Sequence, residues 1–201
     1  MWPLRGQSLR RALQVKPGVR RAVAMNRLFL AYRRALRRGD GPALAQLIRA
    51  NSHLHAVQHR FGLLVSDISR RAPDLLEAAL EAGLHPDAGQ GPDVMQTFLQ
   101  AAAAEGDAKA VTLALRYGAQ VDKRNHTNEH ALGYACAYGH LEVAKLLVAA
   151  GADVNAVELD PEDGVPFTAL DACSGPGGHS EVATFLRSVG GKRSHEISAG
   201  V

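Results

Sequence analysis

Apolar positions along this chain come in short helical bursts, each cut off by a glycine. Two runs of small residues, Ala101 to Ala103 and Ala135 to Ala137, are each followed by an amphipathic stretch. In the second of these Val143, Leu146 and Leu147 fall at helical spacing. One glycine separates the two parts (Gly106, Gly139), and another twelve residues on (Gly118, Gly151) ends the second part. Ala-x-Val and an aspartate or asparagine then follow, and the two copies are offset by 33 residues. Each copy predicts two short antiparallel helices and a turn. The small residues allow close backbone approach, and the closing glycine supplies the left-handed residue that stops a helix.

Weaker copies of the pattern lie upstream at 39–56 and 71–87 and downstream at 178–192, which makes five units. Neither helix of a unit can bury its face alone, so neighbouring units must stack to complete a core. The predicted fold is an all-α solenoid of about five helix-turn-helix units over residues 26–191, with units at 26–58, 59–92, 94–126, 127–160 and 165–191. Residues 1–25 show no repeat and are expected to form a basic, disordered extension, and 192–201 a short tail.

The segments Gly139-His-Leu-Glu-Val143 and Gly151-Ala-Asp-Val-Asn-Ala156 make the fourth unit resemble an ankyrin repeat. The likeness is strong in the third and fourth units, moderate in the fifth and weak in the first two. The family's Thr-Pro-Leu-His opening is degraded to Thr97-Phe-Leu-Gln100, His130-Ala-Leu-Gly133 and Thr168-Ala-Leu-Asp171. The resemblance implies a protein without catalytic activity that binds another protein on the concave face of the solenoid. It also implies that contacts come from the turn tips and from the end of each first helix, just before the glycine. Carried onto this sequence, those positions are His59, Phe61, Arg70, Val94, Gln96, Glu105, Arg124, His126, Thr127, Glu129 and Tyr138. Binding energy concentrates in aromatic and arginine anchors, which puts Tyr138 and Phe61 first, with Arg70 and Arg124 as charged supports.

Departures from the repeat bear on function as much as the matches. The connection from Gly151 to Thr168 is five residues longer than that from Gly118 to His130, and it holds Glu158, Asp160, Glu162 and Asp163. We expect a flexible, solvated acidic finger there, since the spaced ligands and terminal glutamate of a calcium loop are missing. Ser174-Gly-Pro-Gly-Gly178 should shorten or loosen the first helix of the last unit.

Composition adds a charge asymmetry. The chain of 201 residues has a net charge of +3, yet residues 1–40 hold eleven of the 23 basic groups and one acid, Asp40. The rest carries 12 basic against 19 acidic groups. Within the head, residues 27–38 read as an amphipathic helix: Leu28, Ala31, Tyr32, Ala35 and Leu36 face inward, and Arg27, Arg34 and Arg38 outward. This supports a second reading, an adaptor anchored to nucleic acid or an anionic membrane surface through residues 1–38. Charged residues at both ends of the solenoid predict a monomer. Hydrophobic residues make up 46% and charged ones 21%, an ordinary globular balance. No apolar run approaches the roughly 18–20 residues of a membrane span. The expected location is the cytoplasm. The arginine-rich, acid-free start also meets the loose criteria of an organelle transit peptide, delivery into a host is a further option, and Met25 offers an alternative start. Eighteen arginines against five lysines, with abundant alanine and glycine, fit a GC-rich coding genome and so a bacterial source.

Candidate chemistry is thin. Ser174 to Ser180 lacks both the Lys-Ser/Thr of a phosphate loop and the Gly-x-Ser-x-Gly of a nucleophile elbow. His53, His55 and His59 have one zinc-compatible spacing but no cysteine or nearby carboxylate to complete a ligand set. Cys136 and Cys173 sit at small-residue positions of first helices and read as small buried hydrophobes. The expectation is no metal, no cofactor and no catalysis.

Overall fold

The computed structural model describes residues 17–52, 68–69, 72–87, 96–160, 163–174 and 178–198. Helices α1 (Pro17–Arg38) and α2 (Gly41–Ala50) pack together at one end, and a 3-10 turn (Pro73–Leu75) leads into α3 (Leu76–Glu81), which packs on α2. Three helix pairs follow: α4 (Phe98–Glu105) with α5 (Ala108–Arg116), α6 (Ala131–Ala137) with α7 (Leu141–Ala149), and α8 (Ala169–Ala172) with α9 (Ser180–Ser188). A hairpin of β1 (Glu158–Leu159) and β2 (Pro166–Phe167) stands between the second and third pairs, and α10 (Ser194–Ser198) comes last. First helices α4, α6 and α8 pack in one row, and second helices α5, α7 and α9 in another. This is the all-α solenoid that the periodicity predicts. Leu99, Ala103, Leu132, Ala135 and Leu170 from the first row meet Val111, Ala114, Val143, Leu147, Val182 and Leu186 from the second in one buried core. Among the described residues no helix is long and apolar enough to cross a membrane.

The glycines that punctuate the repeat have a second duty besides turning the chain. His140 Nε2 lies 3.0 Å from the carbonyl oxygen of Ala104, and His179 Nε2 lies 3.2 Å from that of Ala137, so each histidine reaches back to the end of the preceding first helix. Gly106 and Gly139 have φ of 72° and 75°. A Cβ on Gly106 would lie 2.6 Å from the His140 ring, and one on Gly139 would be closer still to His179. Glycine is therefore required there both for the backbone and for the next unit's histidine. The Asp or Asn that ends each turn serves as a further tie. Asp87 accepts the Gln120 N–H at 3.0 Å, Asp122 that of Asp153 at 3.2 Å, and Asn155 that of Lys192 at 2.8 Å.

Two boundaries differ from expectation. The proposed limit of the N-terminal extension at residue 25 falls inside α1, which begins at Pro17. Proline lacks an N–H and has the helical φ, so at the first helical position it starts a helix instead of breaking one. Farther along α1, Tyr32, Ala35 and Leu36 are buried while Arg27, Arg34 and Arg38 are exposed, as the amphipathic pattern requires. At the other end the tail beginning at 192 carries α10, tied back where Asp171 accepts the Ser194 N–H at 2.8 Å.

Candidate functional site

The turn between the third and fourth units gathers several candidate residues into one hydrogen-bonded cluster. Asn128, at φ 67°, makes the left-handed corner that asparagine tolerates better than most residues. The Glu129 carboxylate accepts from the Thr127 hydroxyl at 2.6 Å, the Tyr134 hydroxyl at 2.6 Å and the Asn125 amide at 3.0 Å, all on the same oxygen. Burial would raise its pKa, but these three donors and nearby His126 outweigh it and hold the carboxyl below its ordinary range. Burial, helped by Glu129, pushes the Tyr134 hydroxyl up to about 12, and Gln96 bonds to the same hydroxyl. Gln96, Thr127 and Glu129 therefore meet around Tyr134, with their polar groups engaged inside the turn. Arg124 is exposed and donates to the carbonyls of Asn128 at 2.6 Å and Val157 at 3.3 Å, which joins this turn to the hairpin. His126 is exposed beside it.

Tyr138 and Glu105 stand apart from the cluster at equivalent positions, each one residue before a glycine at the far end of a first helix. The seven residues of α6 put Tyr138 about 10 Å from the turn at His130. Its side chain is 58% exposed, and its ring is stacked beside that of His140 with centroids 6.4 Å apart. Alanines 104 and 137 beside these positions are small, and their carbonyls are held by the histidine ties. An exposed aromatic ring on this rigid rim is the form that a binding anchor takes. His59, Phe61, Arg70 and Val94 lie outside the described residues, as do the histidines at 53 and 55.

The hairpin is where structure and expectation part most. The acidic finger is not a solvated loop throughout: Glu158 is 1% exposed and lies against His130, itself 0% exposed. One Glu158 oxygen accepts the His130 N–H at 2.8 Å and also contacts His130 Nδ1. Burial and then Arg124 push the His130 pKa below its ordinary value, against Asp122 and Asp153. Room for the carboxylate comes from Gly133, where a Cβ would lie 2.8 Å from Glu158 Oε2. Opposite Glu158, across the register Glu158 to Phe167 and Leu159 to Pro166, the strands turn Val157, Leu159 and Pro166 outward. Among the described residues no group of three or more His, Cys, Asp or Glu side chains is gathered as a metal site would need. Cys136 in α6 and Cys173 just past the end of α8 are both buried, and a hydrogen bond with Cys173 together with burial pushes the Cys136 thiol up.

Residues 68–158 match the family model for ankyrin repeats (3 copies). That stretch of the chain thus carries ankyrin repeats. Over 73 residues the chain is 37% identical to the probable E3 ubiquitin-protein ligase XBOS32 of Oryza sativa subsp. japonica. The matched stretch covers 36% of this chain and 15% of that protein, so the chain spans only a small part of its relative. Ankyrin repeats are in general protein–protein interaction modules, and domains built from them are typically non-catalytic.

Sequence reasoning did not find the hairpin face, nor Asn125 and Tyr134 at the centre of the turn cluster. Its signal was present: Val157-Glu158-Leu159-Asp160 alternates with period two, as a strand with one buried face does.

Proposed function

We propose that this ankyrin-repeat protein is a non-catalytic module that holds a partner protein against the concave face and turn tips of its solenoid, acting as a monomer. The observation that carries the reading is Tyr138: a large aromatic side chain, 58% exposed, on a rim of small residues locked by histidine ties. Glu105 extends that rim, and Arg124 and His126 add positive charge at the adjoining turn tip. The test is affinity capture from the native cell extract with a high-salt wash, followed by titration of the captured protein against wild type and Tyr138→Ala. A hot-spot tyrosine predicts a loss of about tenfold or more with helicity unchanged. Unchanged affinity would remove Tyr138 from the site, and a turnover abolished by one substitution would contradict the module reading.

A second reading keeps the anchor on an anionic surface. It is favoured by α1, in which Arg27, Arg33, Arg34, Arg37 and Arg38 are all exposed and no acidic residue occurs. Leu30 is exposed between Arg27 and Arg34 on the same helical stripe. Binding to nucleic acid or anionic vesicles that falls steeply with salt would establish it, and no binding at low salt would dispose of it.

A further inference from the structure

The hairpin between the fourth and fifth units is too well anchored and too apolar on its outer side to be a mere spacer. Its register pairs Glu158 with Phe167 and Leu159 with Pro166. Side chains alternate along a strand, so Glu158 and Phe167 share the inner face, and Val157, Leu159 and Pro166 share the outer one. Val157 is 39% exposed, Leu159 is 49% exposed and Pro166 is exposed as well. A solvated face of an antiparallel pair is ordinarily polar, and this one carries no polar side chain at any of the three positions. The face is also held in place. Glu158 plugs the gap left by Gly133 and binds His130, Arg124 caps the Val157 carbonyl, and Asp163 accepts the Val165 N–H at 2.9 Å in the turn. A surface fixed before contact loses less freedom on binding.

We propose that this outer face is a docking site for a segment of the partner protein that places an aliphatic or aromatic side chain beside lysine or arginine. The proposal rests on the binding-module reading above and names the chemistry of what is bound. Apolar side chains fit the patch of Val157, Leu159 and Pro166. The basic neighbour follows from charge at the turn end of the hairpin, where exposed Asp163 and half-buried Asp160 lie beyond Leu159; Arg124 reaches the patch from the other end, at the Val157 carbonyl, and residues 41–201 as a whole carry 19 acidic against 12 basic groups. Strand addition is the less suitable mode. Pro166 offers no N–H on the β2 edge, and the Val157 carbonyl on the β1 side is already bound to Arg124. The partner is therefore held by side chains on the face instead of by backbone on the edge.

The probe is a displayed library of random peptides, selected on the full-length chain and counter-screened on Leu159→Asp. Because Leu159 is an exposed side chain, the variant should keep the far-UV spectrum and melting temperature of wild type. Selected peptides should pair Leu, Ile, Phe or Trp with an adjacent Lys or Arg, and should bind Leu159→Asp about tenfold or more weakly. Three results would overturn the proposal: no enrichment on wild type over Leu159→Asp, enrichment of peptides without basic residues, or self-association of the chain that Leu159→Asp abolishes. The last would make the occupant a second copy. Peptides that bind Leu159→Asp normally but fail on Tyr138→Ala would sink the hairpin site alone, leaving the concave-face reading intact.

Discussion

At the start of α4 the Thr97 N–H is accepted by Gln100, three residues along the same helix; at the start of α6 the His130 N–H is accepted by Glu158, 28 residues away. Both devices satisfy a donor that a helix start leaves without an intrahelical partner. The first is local, a capping box closed by the Thr97 hydroxyl on the Gln100 N–H, and α8 repeats it with Thr168 and Asp171. Gln100 then uses its amide to bind the carbonyls of Lys123 at 3.0 Å and Glu129 at 2.7 Å in the next turn. In α6 the equivalent position is Gly133, which can reach nothing, and the hairpin supplies the missing group from outside. A local cap closes within its own helix start and needs no distant segment to supply the acceptor. A remote cap makes the first helix of the fourth unit and the hairpin depend on each other.

The strongest way to break this contrast is Glu158→Ala. It leaves the buried His130 N–H without its acceptor and the ring without its carboxylate, and should cost about 3 kcal/mol or more in chemical denaturation. The hairpin should become susceptible to limited proteolysis at the same time. Gly133→Ala sharpens the comparison through a change of sign. In wild type the added Cβ meets the carboxylate at 2.8 Å and should destabilise by about 1–3 kcal/mol. In the Glu158→Ala background the same change should stabilise by up to about 1 kcal/mol, because alanine is the better helix residue and its obstacle is gone. Equal effects in both backgrounds would show that Glu158 is not what Gly133 accommodates.

Removing a local cap should matter less. Thr168→Ala is expected to cost about 1 kcal/mol and to leave the hairpin as resistant to protease as wild type. Acid should act on the local devices as well. Burial opposes ionisation of Glu129 and Asp171, but the hydrogen bonds each accepts prevail and hold both carboxyls below their ordinary values. Groups with depressed folded-state pKa values bind more protons when unfolded, so their stabilisation is present above the ordinary carboxylate range and is lost as pH falls through it. Melting temperature should therefore drop as pH goes below about 4.5, and Glu129→Gln should flatten part of that drop. At the bottom of the scale, Tyr138→Ala and Leu159→Asp alter exposed side chains and should shift stability by no more than about 0.5 kcal/mol, whatever they do to binding.

The same contrast explains what the sequence could and could not reveal. The register of the third to fifth units was legible because its cause is local: a glycine that stops a helix, and a Gly-His pair whose ring needs the space a glycine leaves. Thr97 and Thr168 likewise declare helix starts by residue type. The Glu158 tie was not legible, because its two ends are 28 residues apart and the acid stands among three others that suggested solvent. Each strand has only two residues, too few for alternation to outweigh that impression. The helix over Pro17–Arg38 was not foreseen before residue 26 because proline stops a helix from inside yet is tolerated in its first turn, and residue type alone does not tell the two apart. Of the candidate contacts, the helix-end positions Glu105 and Tyr138 could be placed from the repeat alone. That Thr127 and Glu129 spend their polar groups on Tyr134 depends on side-chain reach that no spacing records.

The pairing of Gly133 with Glu158 also sets how this chain can be recombined. A duplication or exchange that carries the fourth unit must carry the hairpin with it, since the helix alone would inherit a hole and the hairpin alone a carboxylate with nowhere to go. Residues 130–167 are in that sense one heritable cassette, whereas the third unit carries the cap of its first helix within itself.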